Sequence, residues 1–139
     1  MKQITTLLVM SGASRANMLE SLEACGCHVV PACGVAEARA IMGARVVDLI
    51  VAGSALPDGD WRDVIACRTS AGQRCEVIVC APRLESGLCS EAFSKGAWEV
   101  VPASSSGEEL RKTIETAASR RYMQSLTPGP RAATGGGAS

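Results

Sequence analysis

Aromatic side chains are almost missing from this chain: Trp61, Phe93, Trp98 and Tyr122 are all it has in 139 residues. Its core must therefore be built from aliphatic residues. Net charge is missing too, because 14 Lys and Arg are balanced by 14 Asp and Glu. Without a basic surplus, neither nucleic acid nor an anionic membrane surface is expected as a partner. No apolar run is long enough to span a bilayer. The opening Met1-Lys2-Gln3-Ile4-Thr5-Thr6 leads straight into a strand-like run and lacks the long apolar region and cleavage site of a secretory signal. The expected location is the cytoplasm.

Cysteine is plentiful, but the arrangements that give it chemistry are absent. Cys25, Cys27, Cys33, Cys67, Cys75, Cys80 and Cys89 make an odd number with no Cys-x-x-Cys. Most lie within apolar patterns, where a thiol acts as a small hydrophobe, and a reducing cytosol keeps thiols free. Cys25-Gly26-Cys27-His28 with Cys33 is the one cluster of metal-binding residue types. Its spacing fits no standard zinc pattern and the second half of such a site is missing. It reads as a helix end running into a strand, so no metal is expected.

What is present is a strongly patterned alternation. Val46 to Ala52 is an apolar run broken only by Asp48. It is too short for a helix and rich in β-branched residues, which predicts a strand buried on both faces at the centre of a parallel sheet. Turn chemistry follows: Pro57 presets φ, Asp58 and Gly59 close the turn, and Asp60 caps a helix beginning at Trp61. Earlier in the chain, Leu7–Met10 predicts a first strand. Met18, Leu19, Leu22 and Cys25 share a helical face that Gly26 stops, and Cys27–Val30 is a second strand. A second helix covers Val35–Met42, with Gly43 as its stop. Beyond Ser70, Glu76–Ala81 is a buried strand. Glu85–Lys95 is a helix with Leu88, Cys89, Ala92 and Phe93 inward, stopped by Gly96, and Trp98–Val101 is the last strand. Ser106-Gly107-Glu108-Glu109 is a capping box for a final helix with Leu110, Ile114, Ala117 and Ala118 on one side.

Strand and helix alternate five times. That predicts an α/β three-layer sandwich with a doubly wound, five-stranded parallel sheet in the flavodoxin-like order 2-1-3-4-5. Residues 1–124 form the expected domain. Residues 125–139 form a Gly/Pro/Ala-rich tail, with Thr127-Pro128-Gly129-Pro130 and Gly135-Gly136-Gly137, that cannot bury a core. Ligands of such sheets bind beyond the carboxyl ends of the strands, which points to the Gly53–Asp60 loop.

From about Ile4 to Tyr122 the chain resembles the receiver domain of bacterial two-component response regulators. The resemblance rests on Leu19…Leu22…Gly26-Cys27-His28-Val29-Val30-Pro31-Ala32, on Asp48-Leu49-Ile50-Val51 with Leu56-Pro57-Asp58-Gly59-Asp60, and on Gly96-Ala97, Pro102 and Glu108-Glu109-Leu110 in that order. It implies a site of two carboxylates that help hold Mg²⁺, a phosphoryl-accepting carboxylate, a hydroxyl and a lysine. Here the first strand ends in Val9-Met10-Ser11-Gly12 without an acid. The acceptor position matches Gly53, the hydroxyl position Ala81 and the lysine position Ala103. The aromatic switch position matches Val100. The fold carries over; the phosphorylation chemistry does not.

The remaining polar groups offer little in its place. Ser54 adjoins the acceptor position but has no base to activate it. Asp58 and Asp60 are explained by the turn and the cap. Ser11, Gly12 and Ser14 form a candidate anion loop at a helix N-terminus, which reads more simply as a capped helix start. Gly12-x-Ser14-x-Ala16 resembles a nucleophile elbow only loosely, and His28, the sole histidine, sits on a distant strand.

The expectation is a pseudo-receiver, not an enzyme and without a cofactor, that binds a protein partner of a signalling pathway and is compatible with a homodimer. The resemblance places recognition on the face of the fourth helix, fifth strand and fifth helix, with Trp98, Glu99 and Val100 as candidate contacts. Trp61, at a position commonly Gly in the family, is expected to cover the emptied site. Two other readings remain: a small-ligand or anion-binding flavodoxin-like module using Ser11–Ser14, and a thiol redox sensor.

Overall fold

The computed structural model describes residues 3–105 and 107–126. In chain order they form β1 (Thr5–Val9), α1 (Ala13–Ala24), β2 (His28–Ala32), α2 (Val35–Ala44), β3 (Leu49–Gly53), a short ribbon of β4 (Ala55–Leu56) and β5 (Gly59–Asp60), α3 (Trp61–Ser70), β6 (Glu76–Ala81), α4 (Ser86–Ser94), β7 (Glu99–Pro102) and α5 (Gly107–Leu126). The five main strands are all parallel in the order β2-β1-β3-β6-β7. Leaving the ribbon aside, this is the expected 2-1-3-4-5 arrangement.

The period of two along each strand divides the core. Leu7, Val9, Ile50, Ala52, Val77 and Val79 face α2, α3 and α4, where Val35, Met42, Trp61 and Val64 meet them. Leu8, Leu49, Val51, Ile78 and Cys80 face the other way, onto Met18 and Leu22 of α1 and Leu110, Ile114 and Ala117 of α5. All five residues of β3 are buried, as a strand covered on both faces requires. The acid before it is tied down locally: the Asp48 carboxylate accepts from the Thr5 amide at 2.9 Å, and the Asp48 amide donates back to the Thr5 carbonyl at 2.8 Å.

Four local expectations change. The central strand begins at Leu49, not Val46, and Val46 is 66% exposed. Gly43 does not stop α2, which continues to Ala44 and ends as Arg45 turns to an extended conformation at φ −155°. Gly26 and Gly96, by contrast, follow α1 and α4 at φ 86° and 103°, which only glycine adopts without strain. Phe93 does not point inward. The buried line of α4 runs through Leu88 and Ala92, and a residue one step on is turned about 100° away, leaving Phe93 48% exposed. The Gly53–Asp60 loop also contains structure of its own, the antiparallel pairs Ala55–Asp60 and Leu56–Gly59.

Asp60 caps α3 as expected. Its carboxylate accepts from the Arg62 amide at 2.9 Å, and Asp63 returns the contact to the Asp60 amide at 3.0 Å. The capping serine of the last helix, Ser106, and the side chain of Ala118 lie outside the described residues. The helix α5 runs to Leu126, into the first two residues assigned to the tail, and the rest of the tail also lies outside the description. Among the described residues no helix is long and apolar enough to cross a membrane.

Candidate functional site

The carboxyl ends of β1, β3, β6 and β7 surround a shallow depression of about 110 Å³. It is lined by Met10, Ser11, Ser14, Gly53, Ser54, Ala55, Cys80, Ala81, Pro82 and Ala103. The sequence-derived positions Gly53, Ala81 and Ala103 therefore do converge, and Ser11, Ser14 and Ser54 stand with them. No lining residue carries a charge. The floor is held by main-chain bonds, Ser54 amide to Cys80 carbonyl at 2.8 Å and Ala103 amide to Ala81 carbonyl at 2.7 Å.

Met10 decides the character of this depression. It follows β1, is 5% exposed, and packs on the α1/α5 side of the sheet. Its Cγ lies 3.3 Å from where a Cβ on Gly53 would stand, tighter than most real contacts of that kind. The thioether thus fills the space into which a side chain at the end of β3 would project. Sequence reasoning noted the missing acid at this point but not what the methionine does; a flexible, unbranched apolar residue beside a glycine is the signal.

Trp61 does not cover the depression. It is 1% exposed and belongs to the core on the α2/α3/α4 side, across the sheet from Met10. It begins α3, whose apolar face turns that way. The Arg62 guanidinium sits 4.7 Å above the ring and bonds to Asp60 at 2.7 Å and to Glu91 of α4. These charges tie α3 to α4 rather than serving the depression.

The Ser11–Ser14 turn departs from a capped helix start. The N-cap of α1 is Gly12, at φ 82°, and no side chain bonds the first amides. Ser11 and Ser14 reach the depression, while Gly12 does not line it. Nothing basic accompanies them there.

A second finding concerns Asp58, read from sequence as a turn former. Its carboxylate accepts from the amides of Val35 at 2.7 Å and Ala36 at 3.0 Å, capping α2 from across the ribbon. Gly34 leaves room for it, since a Cβ there would run into Asp58 Oδ1. The Ala36 and Val35 amides hold the Asp58 carboxyl below its ordinary range. A depressed folded-state value contributes stability above the unfolded carboxyl pKa and loses it as pH falls through the folded one. Urea melts below about pH 4 should therefore fall more steeply with acid for the native chain than for Asp58→Asn.

On the proposed recognition face, Trp98 is half-buried against the α1/α5-side core, and Glu99 is half-buried. Val100 is 5% exposed and packed in the opposite core, so burial removes it as a contact residue. Phe93 and Leu84 are the large apolar groups exposed beside that face.

Among the described residues no three His, Cys, Asp or Glu side chains converge as a metal site. Cys27, Cys67, Cys75 and Cys80 are buried, Cys25 and Cys89 half-buried, and Cys33 exposed; all seven are free thiols. Burial pushes the Cys25 and Cys27 thiols up, and that of Cys80 to about 11. A native thiol titration should register Cys33 promptly and the four buried cysteines only after denaturant is added. Rapid native reaction of all seven would contradict the packing.

No protein-family model and no curated protein matches the chain. Solved structures do match it in shape. A signal receiver domain from Vibrio parahaemolyticus superposes with a TM-score of 0.82 at 18% identity, covering 92% of this chain and 99% of that one. A response regulator receiver domain from Clostridium thermocellum gives 0.76 at 18% identity over 86% and 98%. The chemotaxis protein CheY4 of Vibrio cholerae gives 0.74 at 20% identity over 84% and 99%. At such identities the likeness establishes the fold, and the fold is that of response-regulator receiver domains.

Proposed function

We propose that the chain is a receiver-type signalling module that has given up phosphoryl transfer and acts by binding protein. The observation carrying this reading is the uncharged depression, with Met10 packed over Gly53 and alanines at the other two positions. Phosphoryl transfer depends on positioning and charge stabilisation. A cleft without carboxylate, lysine or metal ligand supplies neither. The module would work in the cytoplasm, with recognition on the α4–β7–α5 side, where Trp98 and Glu99 are the candidate contacts. Residues 125–139 would serve as a tail to the domain.

The test is incubation of the full chain with acetyl phosphate and Mg²⁺, followed by intact mass measurement. The expected result is no covalent phosphoryl group. A stoichiometric phosphoprotein at Ser54, Asp58 or Asp60 would overturn the reading. The uncapped amides of α1 favour an anion-binding alternative at Ser11–Ser14, but the lack of any basic lining residue weighs against it.

A further inference from the structure

A second opening lies at the other end of the sheet. The turns that lead from α2 into β3 and from α3 into β6 part to leave a groove of about 390 Å³, more than three times the volume of the depression. Among the described residues that line it, Arg45 and Arg74 carry charge, one from each turn, and no acid joins them. Both arginines are exposed, and neither guanidinium forms a hydrogen bond or ion pair among the described residues. The acids next in sequence, Asp48 and Glu76, stay out of the lining, and the Asp48 carboxylate is held by the Thr5 amide at 2.9 Å. Apolar surface lies beside the two cations, because Val46, left outside the strand, lines the groove and is 66% exposed.

Gln73 gives this groove a fixed shape. Its carboxamide donates to the carbonyls of Met42 at 2.9 Å and Arg45 at 2.8 Å, and accepts from the Val47 amide at 3.3 Å. These bonds join the two arginine-bearing turns and so set their separation. The same amide takes up carbonyls at the C-terminal end of α2, whose partial negative charge would otherwise oppose an anion. We propose that the groove binds an acidic segment of a partner protein, with carboxylates on Arg45 and Arg74 and an aliphatic side chain against Val46. Guanidinium forks match carboxylates in shape as well as charge. The described lining holds no aromatic ring on which a nucleic-acid base could stack. The proposal rests on reading the chain as a protein-binding module. It adds to that reading a partner chemistry and a surface apart from the α4–β7–α5 side.

The probe is a short capped peptide of alternating glutamate and leucine, titrated into the isotope-labelled full chain and followed by NMR. Shifts are expected at Gly43, Gly72 and the Gln73 side-chain amide, with a Kd on the order of 10–1,000 µM at low salt. Raising salt from about 20 to 200 mM should weaken binding at least about threefold. Arg45→Gln and Arg74→Gln should each raise the Kd about three- to tenfold. The fold should survive both, since the two guanidiniums are exposed and unbonded. Val46→Ser should raise the Kd about two- to fivefold. Arg83→Gln, exposed at the opposite end of the sheet, should leave it unchanged. The proposal is overturned by an absence of saturable binding below about 5 mM, or by a Kd that neither groove arginine moves. Equal binding of a glutamine–leucine peptide, or an equal loss from Arg83→Gln, also overturns it. So does glutarate or inorganic phosphate alone binding as tightly as the peptide. Phosphorylation by acetyl phosphate would sink the reading of the depression, whereas absence of peptide binding would sink only this groove.

Discussion

Trp61→Ala is expected to lower the free energy of unfolding by about 3–5 kcal/mol, among the largest effects of any single truncation in this chain. The ring is 1% exposed and packs against the sheet with Val35, Val64 and Ile65 around it. Removing it deletes a large apolar surface and leaves a cavity that aliphatic neighbours cannot fill without moving the backbone. The same change removes the ring over which the Arg62 guanidinium lies, leaving that group its bonds to Asp60 and Glu91. Urea denaturation followed by circular dichroism measures the loss. A change below about 1 kcal/mol would mean that α3 does not sit on the sheet as described. Because Trp61 does not line the depression, its loss should not by itself make the chain a phosphoryl acceptor.

The second large effect concerns the end of β3. Gly53→Asp, which reinstates an acid at the acceptor position, is expected to cost about 2–3 kcal/mol and to gain no phosphorylation. The new Cβ would meet Met10 Cγ at 3.3 Å. The carboxylate would be forced among Met10, Cys80, Ala81 and Ala103, with no cation to pair with. Met10→Ala should be destabilising alone yet restore part of the loss when combined with Gly53→Asp. That non-additivity is the mark of two residues sharing one space. Strictly additive urea stabilities would show that Met10 and Gly53 do not compete for it.

Much of this was legible in the residues. The buried central strand, though not its first residue, the Asp60 cap, the stops at Gly26 and Gly96 and the strand order follow from local pattern and the handedness of crossovers. The convergence of Gly53, Ala81 and Ala103 was implied by the resemblance to receiver domains, whose parallel strands bring these carboxyl ends together. What the pattern missed depends on contacts distant in sequence. Periodicity marks Phe93 as apolar but does not say that Leu88 and Ala92 take the inward line. It places Trp61 at a helix start without telling which side of the sheet the helix covers. Asp58 looks like any turn acid, since its bonds to Val35 and Ala36 span more than twenty residues. Met10 looks like one more core residue until Gly53 is seen beside it.

The Asp58 carboxylate has a consequence for motion. It sits on the turn of the β4–β5 ribbon yet holds the first amides of α2. The ribbon therefore cannot lift without freeing the first turn of that helix, and the two segments form one opening unit, although a whole strand, β3, lies between them in the chain. The amide protons of Val35 and Ala36 become natural reporters of the ribbon: they exchange with solvent when it opens and stay protected while it is shut. Anything that grips the ribbon thereby also sets how firmly the start of α2 is wound.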